Sequence, residues 1–274
     1  THGSKISFTM GGITFQPSEF VKILFLFFLA GALWENVSFQ RVLLTAVIAG
    51  AHVVVLVVSK DLGSALIFFV AYMTMLFVAT SSYLWFGAGI AGGSVAAVAA
   101  YYLFPHVRRR VEAWADPWSD IANKGYQVAQ ALFAIGTGGW FGMGLYRGMP
   151  EKIPVVDKDF VFAAISEEMG ALYALCVLFL CLGCYMQFMM IAMKMQAMFY
   201  KLIAFGLGSV YITQVFLTIG GVTKFIPSTG VTLPLVSYGG SSIVSTFIIF
   251  QVIQGLYVLK RGEEEEEEHS SEEE

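Results

Sequence analysis

Apolar runs long enough to cross a membrane constrain this chain more than any other feature. Crossing roughly 30 Å of hydrocarbon takes about 20 helical residues, and such runs recur at 18–34, 41–58, 62–80, 84–104, 161–190, 202–222 and 236–259. They are unbroken, whereas barrel strands would alternate over about ten residues, and backbone in lipid must satisfy its own hydrogen bonds. The expected fold is all-α: a polytopic transmembrane helix bundle of about seven spans, an odd number that puts the termini on opposite sides. Composition agrees, with 57% of the 274 residues hydrophobic and 13% charged and a mean hydropathy of +0.71. A soluble domain of this length needs more polar surface to cover its core.

The formal charge of −4 conceals a basic body, because nine of the twenty acids lie in the tail from Glu263 to Glu274. Residues 1–262 read as one transmembrane domain, and the Glu-rich tail 263–274 reads as a disordered, solvated segment. The chain opens on polar Thr1-His2-Gly3-Ser4-Lys5, without a basic and then apolar leader, so the start reads as internal. Cys176, Cys181 and Cys184 share one apolar span with no Cys-x-x-Cys partner, which points to packing and not to zinc or a disulfide framework. Nothing in the chain suggests a nucleic-acid partner.

Between the fourth and fifth runs lies a polar, aromatic, glycine-rich loop, 105–160, with thirteen charged side chains from Arg108 to Asp159. In an otherwise apolar chain such a segment faces water or a charged ligand. Lys and Arg outside the runs number ten on the side of this loop and five on the other, which by the positive-inside rule places the loop in the cytoplasm. Arg108, Arg109 and Arg110 could grip phosphates bidentately or anchor lipid headgroups. The glycines of 136–148 lack the Gly-Lys-Ser/Thr ending of a Walker loop and read as a flexible or re-entrant interfacial segment.

Asp159 is the last carboxylate before Phe160-Val161-Phe162 and the next span. A partly desolvated acid there could act as a base, or it could cap the helix. Glu19 and Lys22, three apart just inside the first run, share a helix face as a structural ion pair or as the lining of a polar cavity. Asp61 reads as the cap of the next helix and His52 as a satisfied core histidine. A second polar island at 227–242, with Ser237, Tyr238 and Ser241, is irregular backbone of the kind membranes tolerate when it is buried in protein or lines a cavity. A plain loop is the other reading.

Taken together, several stretches resemble the SEDS family (shape, elongation, division and sporulation) of the FtsW/RodA/SpoVE kind. They are Phe15-Gln16-Pro17-Ser18-Glu19 to Lys22, Asp61-Leu62-Gly63-Ser64-Ala65, Arg110-Val111 to Asp116-Pro117-Trp118, and Gly125-Tyr126-Gln127. Asp159-Phe160-Val161-Phe162 to Glu167-Glu168-Met169-Gly170 and Pro227-Ser228-Thr229-Gly230 to Ser241-Ser242 complete the series in the family's order. Departures are Gly3-Ser4-Lys5-Ile6-Ser7 ahead of the first motif and Lys60 where a proline is usual.

The resemblance implies a ten-helix fold in the bacterial cytoplasmic membrane of which helices four to ten are present, with loop 105–160 extracytoplasmic, against the charge count, and the acidic tail 263–274 cytoplasmic. It implies a glycosyltransferase that joins lipid II disaccharides into peptidoglycan by inverting transfer, in division, elongation or sporulation; a lipid II flippase is the alternative. Asp159 becomes the catalytic base and Asp157 its decoy. Glu19, Lys22, Gln127, Ser237, Tyr238 and Ser241 become substrate-binding residues. A divalent cation, Mg²⁺ or Mn²⁺, with Arg108, Arg109, Arg110 or Lys152, would receive the leaving pyrophosphate. Implied partners are lipid II, membrane lipids, a class B penicillin-binding protein acting as transpeptidase, and divisome or elongasome proteins.

Overall fold

A computed structural model describes residues 7–10, 13–35 and 37–272. Among these are nine helices: α1 (Pro17–Leu33), α2 (Phe39–Val58), α3 (Leu62–Thr80), α4 (Tyr83–Leu103), α5 (Pro105–Ala115), α6 (Tyr126–Gly138), α7 (Val161–Lys194), α8 (Met198–Val222) and α9 (Gly240–Glu272). A two-stranded antiparallel hairpin, β1 (Phe8–Met10) and β2 (Ile13–Phe15), precedes them, with Phe8 opposite Phe15. The sequence stretch around Lys5 lies outside the described residues.

Helix starts follow local chemistry. Proline, which lacks the backbone N–H that would be orphaned at a helix start, opens α1 and α5. Ser38 accepts from Arg41 N at 3.3 Å to cap α2, and Asp61 Oδ1 accepts from Ser64 N at 3.0 Å to cap α3, as expected. The most enclosed span is α8, which packs against α1, α3, α7 and α9. Its Gly206 lets Met75 and Leu26 approach to within about 3 Å of where a side chain would begin. His52 is satisfied as expected, its Nδ1 2.8 Å from Ile48 O and its ring stacked on Phe68.

Four expectations need correction. Six described helices, not seven, are long and apolar enough to span. The first, α1, has 17 residues, about 25 Å at 1.5 Å per residue, and carries Glu19 and Lys22. Loop 105–160 is not wholly irregular but contains α5, α6 and a 3-10 turn at Pro150–Lys152. The acidic tail is helical to Glu272: glutamate is a good helix former, and a run that extends an existing helix avoids the cost of nucleation.

The fourth correction concerns the glycines of 136–148, which are clamped and not flexible. Within α7, Gly170 leaves helical geometry with φ +87° and ψ 169°. The break would orphan the carbonyls of Glu167 and Glu168 and the amides of Ala171 and Leu172. The preceding loop supplies all four partners: Met143 N donates to Glu167 O and Gly144 N to Glu168 O, both at 2.9 Å, while Ala171 N and Leu172 N donate to Gly139 O (2.9 Å) and Trp140 O (3.2 Å). Interrupted backbone is thus kept satisfied inside an apolar segment. The side chains add to the clamp, Glu167 accepting from Met149 N at 3.2 Å and Glu168 from Tyr146 N at 3.1 Å.

Candidate active site

Four segments far apart in sequence converge at one end of the bundle. Buried Phe160 and Ile153 anchor the turn that ends at Asp159. This turn is zipped to the second polar island: Tyr238 N donates to Asp157 O at 2.7 Å, and the Ser237 hydroxyl donates to Lys158 O. The island is irregular from 227 to 239 yet packed, with Val231 and Leu233 buried. Side chains of α8 satisfy its carbonyls, Thr218 donating to Val231 O at 2.9 Å and Gln214 to Thr232 O at 3.1 Å. Helix α5 docks on the same island, Arg110 Nη1 donating to Ser228 O and Trp114 Nε1 to Lys224 O, each at 3.1 Å.

The focus is Gly230, at φ +78°. A methyl group there would sit 3.4 Å from Asp159 Oδ2 and 3.6 Å from Arg110 Nη2, so carboxylate and guanidinium flank this glycine. Burial pushes the Asp159 carboxyl up to about 6; the charges of Arg110 and Lys158 pull it down, and those of Asp157 and Asp61 push it up. Asp159 does not cap α7, whose N-cap is Phe160. Burial lowers Arg110, while Asp159 and Asp61 hold it charged. Asp61 does more than cap: its Oδ2 accepts from Ser64 at 2.7 Å, Ser18 at 3.2 Å and Gln16 at 3.4 Å, tying α1 to α3.

The other candidates divide. Of the three arginines only Arg110 flanks Gly230 with Asp159 and acts on its charge; Arg108 pairs with Glu112 at 2.9 Å on an exposed face, and Arg109 is exposed. Lys152 is exposed on the 3-10 turn, and Gln127 donates to Pro154 O at 2.8 Å. Ser237 is buried with its hydroxyl engaged twice, also accepting from Leu233 N at 2.8 Å. Ser241 accepts from Gln16 N at 3.0 Å, and the Tyr238 ring is exposed. Glu19 and Lys22 form a buried ion pair at 2.6 Å, with Lys22 also donating to Gln214 at 2.9 Å and Ser245 donating to Glu19 at 2.7 Å. Among the described residues no group of three or more His, Cys, Asp or Glu could hold a metal ion.

This arrangement, a membrane bundle with a partly desolvated carboxylate beside an arginine at its end, has relatives. Residues 1–261 match the FtsW/RodA/SpoVE family, described as cell cycle proteins. The chain belongs to this family. It is 35% identical to peptidoglycan glycosyltransferase RodA of Mycobacterium tuberculosis over 92% of this chain and 57% of that protein. A probable peptidoglycan glycosyltransferase FtsW of Aliivibrio salmonicida is 34% identical, covering 86% of this chain and 61% of the relative. The SEDS chain thus spans about three fifths of the length of these curated relatives. Among solved structures it resembles a chain of a peptidoglycan synthase complex (TM-score 0.76, 26% identity, 94% of this chain and 74% of that one). Thermus thermophilus RodA is also similar (TM-score 0.65, 26% identity, 92% and 69%). The protein is accordingly a multi-pass membrane protein of a bacterial family.

Sequence reasoning did not foresee that the Asp61 charge acts on Asp159, nor did it single out His106. Its one available signal was the position of His106, four residues before Arg110 on what becomes one face of α5.

Proposed function

We propose that this SEDS chain carries the catalytic centre of a peptidoglycan glycosyltransferase, with Asp159 as general base. The observation that carries the reading is Asp159 itself: a carboxyl raised to about 6 is a competent base at neutral pH while still largely ionised. The GlcNAc 4-hydroxyl of one lipid II gives its proton to Asp159. The freed oxygen bonds to the anomeric carbon of the other lipid-linked sugar, and the bond from that carbon to the pyrophosphate oxygen breaks. The electron pair departs with undecaprenyl pyrophosphate, and one displacement inverts the centre. Arg110, beside Asp159, is the positive charge best placed to receive the leaving group.

The residues present do not fit a resident cation. Two carboxylates act on Asp159: Asp157, the stronger, is exposed, and the oxygens of Asp61 already serve Ser64, Ser18 and Gln16, so among the described residues no third ligand completes a site. No step is therefore routed through Mg²⁺ or Mn²⁺, which enter the proposal as a requirement of the pyrophosphate substrate, to be varied in the assay. The water-facing end that holds Asp159 is placed outside the cytoplasmic membrane, where lipid-linked disaccharides are polymerised. The partner is a crosslinking transpeptidase of the class B penicillin-binding type; the related complex coordinates polymerization and crosslinking.

The test is glycan-chain formation from lipid II by the full-length protein with its transpeptidase, run with each cation. Asp159→Asn, nearly isosteric but unable to take the proton, should lower the rate about 10²- to 10⁴-fold, whereas exposed Asp157→Asn should stay near wild type. Polymer at the wild-type rate from Asp159→Asn removes the base. If wild type makes no polymer yet moves lipid II across liposomes, the chain is a transporter.

A further inference from the structure

Two buried polar atoms near Arg110 have no hydrogen-bond partner among the described residues: His106 Nε2 and Thr229 Oγ1. Thr229 stands between Ser228, whose carbonyl holds Arg110, and Gly230, which Asp159 and Arg110 flank. His106 lies on the first turn of α5, one turn ahead of Arg110, so the two share a helix face. Its ring packs against Phe104 with centroids 5.6 Å apart, and one ring nitrogen bonds the backbone of Val57 at the end of α2.

That bond decides what the other nitrogen can do. A backbone carbonyl only accepts, so the nitrogen facing Val57 carries the ring proton and Nε2 presents a bare lone pair. Burial and the charges of Arg110 and Lys60 lower the imidazole pKa, against a smaller opposing effect of the Val57 bond, and so favour the neutral ring. A buried acceptor without a donor is disfavoured until something supplies one. A phosphate oxygen cannot, being an acceptor itself; a hydroxyl or an amide N–H can. The adjoining guanidinium meanwhile favours anionic oxygen. A ligand that satisfies both neighbours carries a phosphate and a neutral donor close together, the chemistry of a glycosyl phosphate.

Resting on the glycosyltransferase reading, we infer that His106 is a further substrate-binding residue, its Nε2 accepting a hydrogen bond from a sugar hydroxyl or acetamido N–H of the glycosyl pyrophosphate held at Arg110. Nothing in the motifs shared with the family assigns it this part. The residue touches substrate without entering the proton transfer, so its removal acts on binding and leaves the chemical step alone.

The experiment measures lipid II affinity of the full-length protein in nanodiscs, in an Asp159→Asn background that blocks turnover, and KM and kcat in the Asp159 form. His106→Phe keeps a ring without an acceptor, and His106→Asn reaches only the Val57 side. His106→Gln puts an amide oxygen near the position of Nε2. The Phe and Asn variants should bind about 3- to 10-fold more weakly and raise KM to match, with kcat nearly unchanged, and Gln should restore most of the affinity. Equal affinities of wild type, Phe and Asn variants would overturn the assignment, as would a Gln variant no better than Asn. If the Phe variant fails to fold, the Gln and Asn pair still decides. Wild type that binds lipid II without polymerising it overturns the glycosyltransferase reading while the His106 comparison stands; wild type that does not bind lipid II overturns both.

Discussion

At the scale of single residues, Asp159 owes its chemistry to a balance between burial and the charges around it. Because burial raises the carboxyl to about 6, the basic form is half populated near that pH and is lost below it. Activity should therefore rise through an acid limb in kcat/KM near pH 6, well above the usual range for an aspartate near 3.9. Arg110 pulls the carboxyl down, so Arg110→Met should move the limb to higher pH. A pH–rate profile of both proteins checks this, and a wild-type limb near pH 4 would assign the base elsewhere. The sequence singled out Asp159 as the last carboxylate before an apolar run and left base and cap open; the structure removes the cap, since the N-cap of α7 is Phe160. Which of Arg108, Arg109 and Arg110 joins it was not legible, since neighbours on a helix point about 100° apart and docking alone selects the face. Asp61 was legible as a cap, but its bonds to Ser18 and Gln16 come from another helix and leave no local trace.

Among the elements, α7 is the most informative, because its break and the preceding loop are one structure. Gly170 sits at φ +87° and a Cβ there would lie 2.4 Å from Gly142 N, so Gly170→Ala both strains the backbone and pushes the loop away. We expect a loss of at least about 2 kcal/mol, read as a fall in the apparent Tm in detergent and as faster amide exchange at Met143, Gly144, Ala171 and Leu172 together. Unchanged exchange at these four amides would mean that the loop is not held as described. Periodicity and apolar length disclosed the spans well, since those signals are local. The break escaped notice because a lone glycine in an apolar run looks like packing, and only partners 24 and 32 residues upstream make it a discontinuity. The helical tail was missed for another reason: charge argued for solvation, and propensity, continued from α9, determined the backbone.

For the whole molecule, the buried Glu19–Lys22 pair shows what the bundle requires of its interior. Removing one member leaves an uncompensated charge, so Lys22→Met and Glu19→Gln should each cost about 3–5 kcal/mol, and the double variant clearly less than their sum. Apparent Tm values from the double-mutant cycle test this; strictly additive losses would show that the two charges do not depend on each other. The polar core was legible as a pair, three residues apart on one helix, but its completion by Gln214 and Ser245 depends on α8 and α9 closing around it.

The same pair bears on how the protein is made. Ser245 follows Glu19 by 226 residues and Gln214 follows Lys22 by 192, so α1 reaches the bilayer long before either partner has been synthesised. In the interval these two partners do not yet exist, and a separation of one helical turn lets Glu19 and Lys22 neutralise one another. Until α8 and α9 close around it, the pair is net-neutral but only half satisfied.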